Sequence, residues 1–198
     1  MVDRITISTY NKIADFYKSR HNTGNFWKKE YGEFERNLQG KTILDAGCGF
    51  GRDSKHFVEQ GLSVVGIDAS IGMLRLARKN VPEAKFICMD MLKPAFKSDS
   101  FDGVWCCASL LHVRRKQART VLNAFRKILK QRGILFVSVK ESRGERYKTY
   151  PDRTKRFFSY YSKKSLKKLV ESADFKIVSL RRRDDELDDA WLTVLARK

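Results

Sequence analysis

Residues 43–53 read Ile43-Leu44-Asp45-Ala46-Gly47-Cys48-Gly49-Phe50-Gly51-Arg52-Asp53. An apolar strand runs into an acidic residue, then into a turn with glycine at every second position, and then into the start of a helix. A second apolar run, residues 64–67, ends in another carboxylate, Asp68, about one βα unit later. Two parallel strands that each end in an acid, with a glycine loop between them, predict a nucleoside-binding site at the carboxyl edge of an α/β sheet.

The details of the loop bear on which nucleoside is bound. A dinucleotide site needs a third small residue in the pattern G-x-G-x-x-G/A. Counted from Gly47, that position is occupied by Arg52. Asp45 also places negative charge just before the loop, where it would repel a pyrophosphate and favour a cation. S-adenosylmethionine carries a sulfonium, an amino group and a ribose but no phosphate, so it fits better than a nicotinamide dinucleotide.

On this motif, with Asp68 after it, the sequence resembles the class I (Rossmann-like) S-adenosylmethionine-dependent methyltransferases, in particular the methyltransferase type 11/25-like group. The resemblance spans most of the chain and implies an α/β fold with a doubly wound seven-stranded sheet whose last strand is antiparallel. It implies that S-adenosylmethionine is the cofactor, and it also implies the cofactor-binding residues. These are Asp45 for the methionine amine, Gly47 and Gly49 for close backbone approach, Asp68 for the ribose hydroxyls, and Asp90 and Met91 for the adenine. An Asp before a short loop equally forms a turn, so that alternative for Asp90 stays open.

The alternation of apolar segments predicts one domain, residues 1–198, with a helical N-terminal cap at 1–40 and a Rossmann-like core at 41–198. Strands are predicted at 42–46, 63–68, 84–88, 101–107, 133–140, 175–181 and 190–197. Helices are predicted at 3–21, 25–38, 52–60, 70–80, 115–130 and 163–173. The polar turn at 184–189 is too short for a parallel crossover, so the final strand is expected to be antiparallel.

Composition limits the class of protein and its partners. The net charge is +18, and residues 140–183 contain 15 Lys or Arg against five Asp or Glu. Such a bias suits RNA or another polyanion, but it also describes an ordinary solvated surface. No apolar run is long enough for a membrane span, and the first residues do not resemble a secretory signal. Four cysteines without C-x-x-C spacing indicate neither a metal site nor a disulfide framework, so we expect a cytoplasmic protein.

His112 is the candidate proton acceptor. It follows the fourth core strand, whose end borders the transferred methyl group in the resembling family. A hydroxyl or ammonium acceptor needs a base, whereas the sulfonium leaves without help. The alternative is that His112 only caps the junction between strand and helix or binds the backbone.

Candidates for a lid over the substrate come from two segments. Tyr10 and Tyr17 lie seven residues apart and share one helix face, as do the aromatic residues that cover the cofactor in the resembling family. The second segment runs from 140 to 161, where basic and aromatic residues alternate; its lid candidates are Lys140, Tyr147 and Tyr160. Such a mixture suits stacking on a nucleic-acid base, but aromatic residues before a helix also pack in the core.

Motifs that are absent from the end of the fourth strand limit the chemical class of the methyl acceptor. Residues 107–110 read Cys107-Ala108-Ser109-Leu110, without the N/D-P-P-Y/F tetrad of enzymes that methylate base amines, and no Pro-Cys or Thr-Cys nucleophile is present. The leading hypothesis is therefore transfer to an oxygen, nitrogen or sulfur of a small molecule. The alternative is methyl-ester formation on a tRNA wobble uridine, because residues 156–158 and the final strand with Trp191 resemble those enzymes. A third hypothesis, that this chain is a non-catalytic subunit that only binds S-adenosylmethionine, is disfavoured because all the cofactor residues are present. The sequence leaves open the oligomeric state of the chain and whether it binds a separate partner subunit.

Overall fold

A computed structural model describes residues 3–21, 26–184 and 190–198. Its helices are α1 (Arg4–His21), α2 (Lys28–Asn37), α3 (Arg52–Glu59), α4 (Ile71–Asn80), α5 (Arg115–Ile128) and α6 (Lys163–Ser172). Its strands are β1 (Thr42–Ala46), β2 (Ser63–Asp68), β3 (Lys85–Cys88), β4 (Phe101–Cys106), β5 (Leu129–Lys140), β6 (Glu145–Thr149), β7 (Lys155–Ser159), β8 (Lys176–Asp184) and β9 (Ala190–Arg197). A single 3₁₀ turn, Leu110–His112, follows β4.

The main sheet has seven strands in the order β3-β2-β1-β4-β5-β9-β8. Strands β1 to β5 pair in parallel, whereas β9 is antiparallel to both of its neighbours, β5 and β8. This confirms the predicted doubly wound sheet with an antiparallel last strand. The predicted polar turn before β9 lies largely outside the described residues, which leave out 185–189.

Two features differ from the sequence-based prediction. β5 begins at Leu129 rather than at 133, because Phe101 pairs with Leu129 before a register shift that brings Gly103 opposite Ile134. A second, two-stranded sheet, the β6–β7 hairpin, was not predicted. All five residues of β6 are exposed, so this strand lacks the alternation of apolar and polar residues that identifies a strand in a sequence.

The core of the protein lies on both faces of the main sheet. Helix α5 buries Ala118, Val121, Leu122, Phe125 and Ile128 against one side of the sheet. On the other side Trp105 is fully buried and stacks on Phe136 with ring centres 3.8 Å apart. Each such large apolar side chain contributes about 1.5–3 kcal/mol when fully buried. The sheet is therefore covered on both faces, which fixes the carboxyl ends of its parallel strands as a rigid edge.

Helix α1 closes over that edge. The Thr9 hydroxyl donates to the Lys155 carbonyl at 2.7 Å, and the Phe157 amide donates to the Thr6 hydroxyl at 2.8 Å. At the other side, the Gly72 amide donates to the Asn11 side chain at 2.9 Å, and a Cβ on Gly72 would lie only 2.8 Å from the Asn11 carbonyl oxygen. The helix is thus fastened both to α4 and to the β6–β7 hairpin.

Candidate active site

The glycine loop after β1 forms the floor of the candidate site. The amides of Gly47 and Cys48 both donate to the Ile67 carbonyl, at 2.7 and 3.0 Å, and hold the loop against the end of β2. Gly47 has φ +79°, and a Cβ there would lie 2.4 Å from Cβ of Ser109. Gly49 also has a positive φ, +54°, but no described atom beyond Gly49 itself and its two chain neighbours lies within 4 Å of where its Cβ would be. The loop is therefore packed at Gly47 and open at Gly49, as a cradle for a ligand requires.

Asp68, at the end of β2, faces this loop. Its Oδ2 accepts from the Gly49 amide at 2.9 Å and its Oδ1 accepts from the Ser70 amide at 2.8 Å. Burial raises the pKa of Asp68, and these backbone hydrogen bonds oppose the rise. The carboxylate is thus fixed in position while lone pairs remain for a pair of hydroxyl donors. Ser70 caps α4 by accepting from the Met73 amide at 3.2 Å.

Asp45 is a buried carboxylate at the end of β1, only 2% exposed. Its Oδ2 accepts from the Ser54 hydroxyl at 2.6 Å, and no Lys or Arg nitrogen of the described chain lies within 4.0 Å of it. Burial, reinforced by the nearby charge of Asp53, raises the pKa of Asp45 to about 8. A buried acid without a cation of its own suits a positively charged ligand.

Arg52 has a structural role that the sequence did not reveal. Its Nε donates to Asp53 Oδ1 at 2.6 Å; Asp53 also accepts from the Tyr31 hydroxyl at 2.7 Å and from the Trp105 indole at 2.8 Å. Burial alone would raise the pKa of Asp53, but Arg52 and the three hydrogen bonds lower it. Arg52 Nη2 lies 3.8 Å from Cys107 Sγ. The residue that breaks the dinucleotide pattern thus reaches from the glycine loop to the end of β4.

Met91 and Asp90 lie beyond β3. The Met91 side chain is buried, and its methyl carbon lies 3.3 Å from the point where a Gly47 Cβ would be, so the structure brings Met91 to the glycine loop. Asp90 Oδ1 accepts from the Leu92 amide at 3.0 Å, which is the turn-forming contact that the sequence left open.

His112 belongs to a chain of three side chains. Its Nδ1 lies 2.6 Å from the Phe157 carbonyl oxygen, and its Nε2 lies 2.9 Å from the Tyr10 hydroxyl. Because a carbonyl only accepts, Nδ1 carries the proton and Nε2 accepts from Tyr10. Arg156 Nη1 in turn donates to the Tyr10 oxygen at 3.2 Å. His112 is 7% exposed, and burial lowers its pKa to about 4, so the ring is neutral at physiological pH.

An aromatic cage surrounds the Arg156 guanidinium. The carbon at its centre lies 3.9 Å from the ring centre of Tyr150, 5.4 Å from that of Tyr10 and 5.7 Å from that of Tyr17. Tyr10 and Tyr17 meet edge to face at 5.3 Å, and Tyr17 approaches Phe50 of the glycine loop at 6.3 Å. The two predicted lid tyrosines of α1 are therefore together, next to the glycine loop.

The other lid candidates are placed differently. Lys140 Nζ lies 5.3 Å from the Trp191 ring centre. Tyr160 is buried under the Arg146 guanidinium, which lies 3.9 Å from its ring centre. In the β6–β7 register Tyr147 pairs with Phe157, on the face opposite Arg156, and it is 39% exposed with its hydroxyl 2.6 Å from Asp3. The structure does not bring Tyr147 to the cluster of Tyr10 and Tyr17.

The sheet order, the antiparallel last strand and the acid–glycine–acid edge define the class I S-adenosylmethionine-dependent methyltransferase fold. Residues 43–133 match the family described as a methyltransferase domain. Residues 43–133 are therefore a methyltransferase domain of that class, whose cofactor is S-adenosylmethionine, within a chain that has the fold of these enzymes.

Individual similarities agree with this assignment. A demethylmenaquinone methyltransferase of Renibacterium salmoninarum is 31% identical over 101 residues, which cover 51% of this chain and 42% of that protein. A 1,6-didemethyltoxoflavin-N1-methyltransferase of Burkholderia thailandensis, solved with 1,6-didemethyltoxoflavin and S-adenosylhomocysteine, has a TM-score of 0.77 and 23% identity over 97% of this chain and 87% of that one. A structure of the Haloferax volcanii Trm112 methyltransferase activator in complex with a methyltransferase gives a TM-score of 0.75 at 16% identity, over 100% of this chain and 97% of the matched one.

These similarities cover only part of the relative's length or concern the fold alone. The match spans less than half the length of the demethylmenaquinone methyltransferase, and the two solved structures are similar in fold alone. Among the described residues, no helix combines the length and apolar character needed to cross a bilayer.

Proposed function

We propose that this chain transfers a methyl group from S-adenosylmethionine, by in-line displacement, to an oxygen, nitrogen or sulfur atom of a small molecule. The observation that carries the proposal is the pair of acids at adjacent strand ends, the buried Asp45 and the loop-facing Asp68. The open position at Gly49 lies in the loop that follows Asp45, and its amide donates to Asp68. In this proposal residues 1–198 act as one domain, with residues 1–40 as its cap.

The residues present fit the cofactor. Asp45 would hold the methionine amine, the backbone at Gly47 and Gly49 would pass close to the ligand, and Asp68 would take the ribose hydroxyls. Asp90 and Met91 would contact the adenine; Met91 already lies against the glycine loop. The cofactor supplies a methyl group on a sulfonium, a leaving group that needs no acid catalyst.

The protein then has to orient the acceptor and exclude water, and orientation alone can supply up to about 7–11 kcal/mol in favourable cases. Tyr10 and Tyr17 of α1 cover the edge of the sheet where the acceptor would bind. His112 is neutral and can accept a proton, but its Nε2 already receives the Tyr10 hydrogen bond. A proton leaving the acceptor would therefore reach His112 through the Tyr10 hydroxyl.

The names of similar proteins support a small acceptor. The demethylmenaquinone and 1,6-didemethyltoxoflavin methyltransferases are named for small molecules. In this chain α1 is hydrogen-bonded to the β6–β7 hairpin through Thr6 and Thr9, so the two elements form one cap beside the glycine loop.

The test is methyl transfer from S-adenosylmethionine with a labelled methyl group to pools of small metabolites, with Asp68→Ala as the control variant. We expect label in at least one small molecule with the wild type and none with the variant. Label in the same product with Asp68→Ala would contradict the proposed site, and wild-type label in bulk tRNA alone would favour the second candidate.

That second candidate is the tRNA methyl ester reaction, and one observation favours it. Helix α6 exposes Lys163, Lys164, Lys167 and Lys168 along one face. Four of the aromatic residues in the 140–161 segment weaken it, because Phe157, Phe158, Tyr160 and Tyr161 are each at most 7% exposed and so are not available for stacking. RNA binding through these lysines would weaken steeply as salt rises, through counterion release; affinity for bulk tRNA that does not change between about 50 and 200 mM salt would exclude it. A partner subunit that supplies RNA binding belongs to this candidate only.

A further inference from the structure

The Arg156 guanidinium lacks a negative counter-charge. Among residues 3–21, 26–184 and 190–198, no carboxylate oxygen lies within 4.0 Å of it, although the residue is half-buried. One hydrogen bond is made, from Nη1 to the Tyr10 hydroxyl. The Nε atom is buried and has no hydrogen-bond partner among these residues. Buried cations are normally paired, since an unpaired charge or donor is costly in a protein interior.

The groups around Arg156 do not supply the missing charge. Three tyrosine rings and Phe158 surround it, with ring centres between 3.9 and 5.9 Å away. His112, linked to it through Tyr10, is neutral. Asp152 is near enough to feel its charge but is itself fully exposed. The cage thus keeps a guanidinium largely out of water without neutralising it.

The aromatic cage around Arg156 lies next to the place where the methyl acceptor would bind. Tyr17 joins it to Phe50 of the glycine loop, and Tyr10 joins it to His112 at the end of β4. An anion on Arg156 would therefore lie between the cofactor-binding loop and the proposed proton acceptor. The free edge of a guanidinium, formed by Nε and one Nη, matches the two oxygens of a carboxylate.

We propose that the acceptor carries a carboxylate, which binds the Arg156 guanidinium, on a flat apolar body that packs against Tyr10 and Tyr17. This assignment rests on the proposed function, and it adds the chemical class of the acceptor. It also accounts for the missing counter-charge of Arg156, which the carboxylate would supply.

The test is calorimetric titration of protein saturated with S-adenosylhomocysteine. The probes are three aromatic carboxylates (benzoate, 1-naphthoate and indole-3-acetate), each paired with its primary amide, which has the same shape but no charge. We expect at least one carboxylate to bind ten times more tightly than its amide. Arg156→Gln should abolish that difference. Arg146→Gln, which changes a neighbouring arginine of the hairpin on the same face, should retain it. Affinity for S-adenosylhomocysteine should stay within threefold in both variants.

Several results would overturn the assignment. They are failure of every carboxylate to bind, equal affinities for carboxylate and amide, or an equal loss in Arg146→Gln. A parallel loss of S-adenosylhomocysteine affinity in Arg156→Gln would mean that the anion held there is the cofactor's own carboxylate, and would equally overturn it. Failure of the proposed function has a different signature, because the wild type would then not bind S-adenosylhomocysteine at all.

Discussion

The Tyr10 hydroxyl donates a hydrogen bond to Nε2 of His112, 2.9 Å away, and links two residues that are 102 positions apart in the sequence. It ties the N-terminal helix to the end of β4. The direction of this bond follows from the other ring nitrogen of His112. Nδ1 donates to the Phe157 carbonyl at 2.6 Å, so the proton is on Nδ1 and Nε2 accepts. The lid and the candidate proton acceptor are therefore one hydrogen-bonded unit.

Removal of the Tyr10 hydroxyl should destabilise the fold. Tyr10→Phe leaves Nε2 of the buried His112 without a donor, which we expect to lower the free energy of unfolding by about 1–3 kcal/mol. The matched control is Tyr147→Phe, whose exposed hydroxyl bonds Asp3, with an expected loss below about 1 kcal/mol. Urea denaturation of both variants measures the difference, and equal losses would contradict the buried bond.

Stability should depend on pH through His112. Its pKa is about 4 in the folded protein, whereas that of an unfolded histidine is near 6.5. Between these values the unfolded chain binds the proton and the folded chain does not, so stability falls as pH drops from 6.5 towards 4. The full loss is on the order of 3 kcal/mol at about 1.4 kcal/mol per pKa unit.

The measurement is the difference in unfolding free energy between wild type and His112→Asn at several pH values. The Asn side chain keeps a donor near the Phe157 carbonyl but does not titrate. The raised pKa of Asp45 has the opposite effect, because it makes the folded protein more stable as pH falls. Asp45 is present in both proteins, so its contribution to the difference cancels. A difference that stays constant from pH 6.5 to 4 would show that His112 is not buried as a neutral ring.

Cofactor binding should release a proton from Asp45. With a pKa near 8 in the free protein, this acid is mostly protonated at pH 7, and a cationic ligand favours its ionised form. We expect affinity for S-adenosylhomocysteine to rise by up to about tenfold per pH unit between pH 6 and 7.5. Calorimetry in buffers of different ionisation enthalpy counts the protons released. Asp45→Asn should release none, and a wild type that also releases none would refute the assignment.

Gly49 and Gly61 allow ligand contact to be separated from backbone strain. Both have a positive φ, and in both cases no described atom beyond the glycine and its two chain neighbours lies within 4 Å of where a Cβ would be. Only Gly49 lies at the candidate site. Each Ala variant should lose about 1 kcal/mol of stability from the left-handed backbone. Only Gly49→Ala should lower affinity for S-adenosylhomocysteine, by tenfold or more, as measured by calorimetry. Equal affinities in the two variants would remove Gly49 from the binding surface.

The sequence was sufficient for the sheet because its strand signals are local. The apolar runs that end in Asp45 and Asp68 predict two parallel strands, and the short turn before β9 predicts its antiparallel direction; the seven-stranded sheet itself was implied by the family resemblance. The β6–β7 hairpin lacked such a signal, because the exposed residues of β6 show no apolar alternation.

The candidate site could be predicted only in part, for a related reason. Asp45, Asp68 and the glycines lie within a single βαβ segment, so their proximity can be read from spacing. Arg156 meets Tyr10 across 146 residues, through a helix and a hairpin whose packing no local pattern encodes. Arg52 looked like a departure from a fingerprint, and its bond to the buried Asp53 becomes visible only in three dimensions.

The central claim is that the edge formed by Asp45, Gly49 and Asp68 binds S-adenosylmethionine. Calorimetric titration of the wild type and of Asp68→Ala with S-adenosylhomocysteine, and with NAD as the competing dinucleotide, tests it most directly. The account predicts micromolar binding of S-adenosylhomocysteine to the wild type, at least a hundredfold loss in Asp68→Ala, and no binding of NAD. Absence of S-adenosylhomocysteine binding to the wild type, or unchanged affinity in the variant, would contradict it.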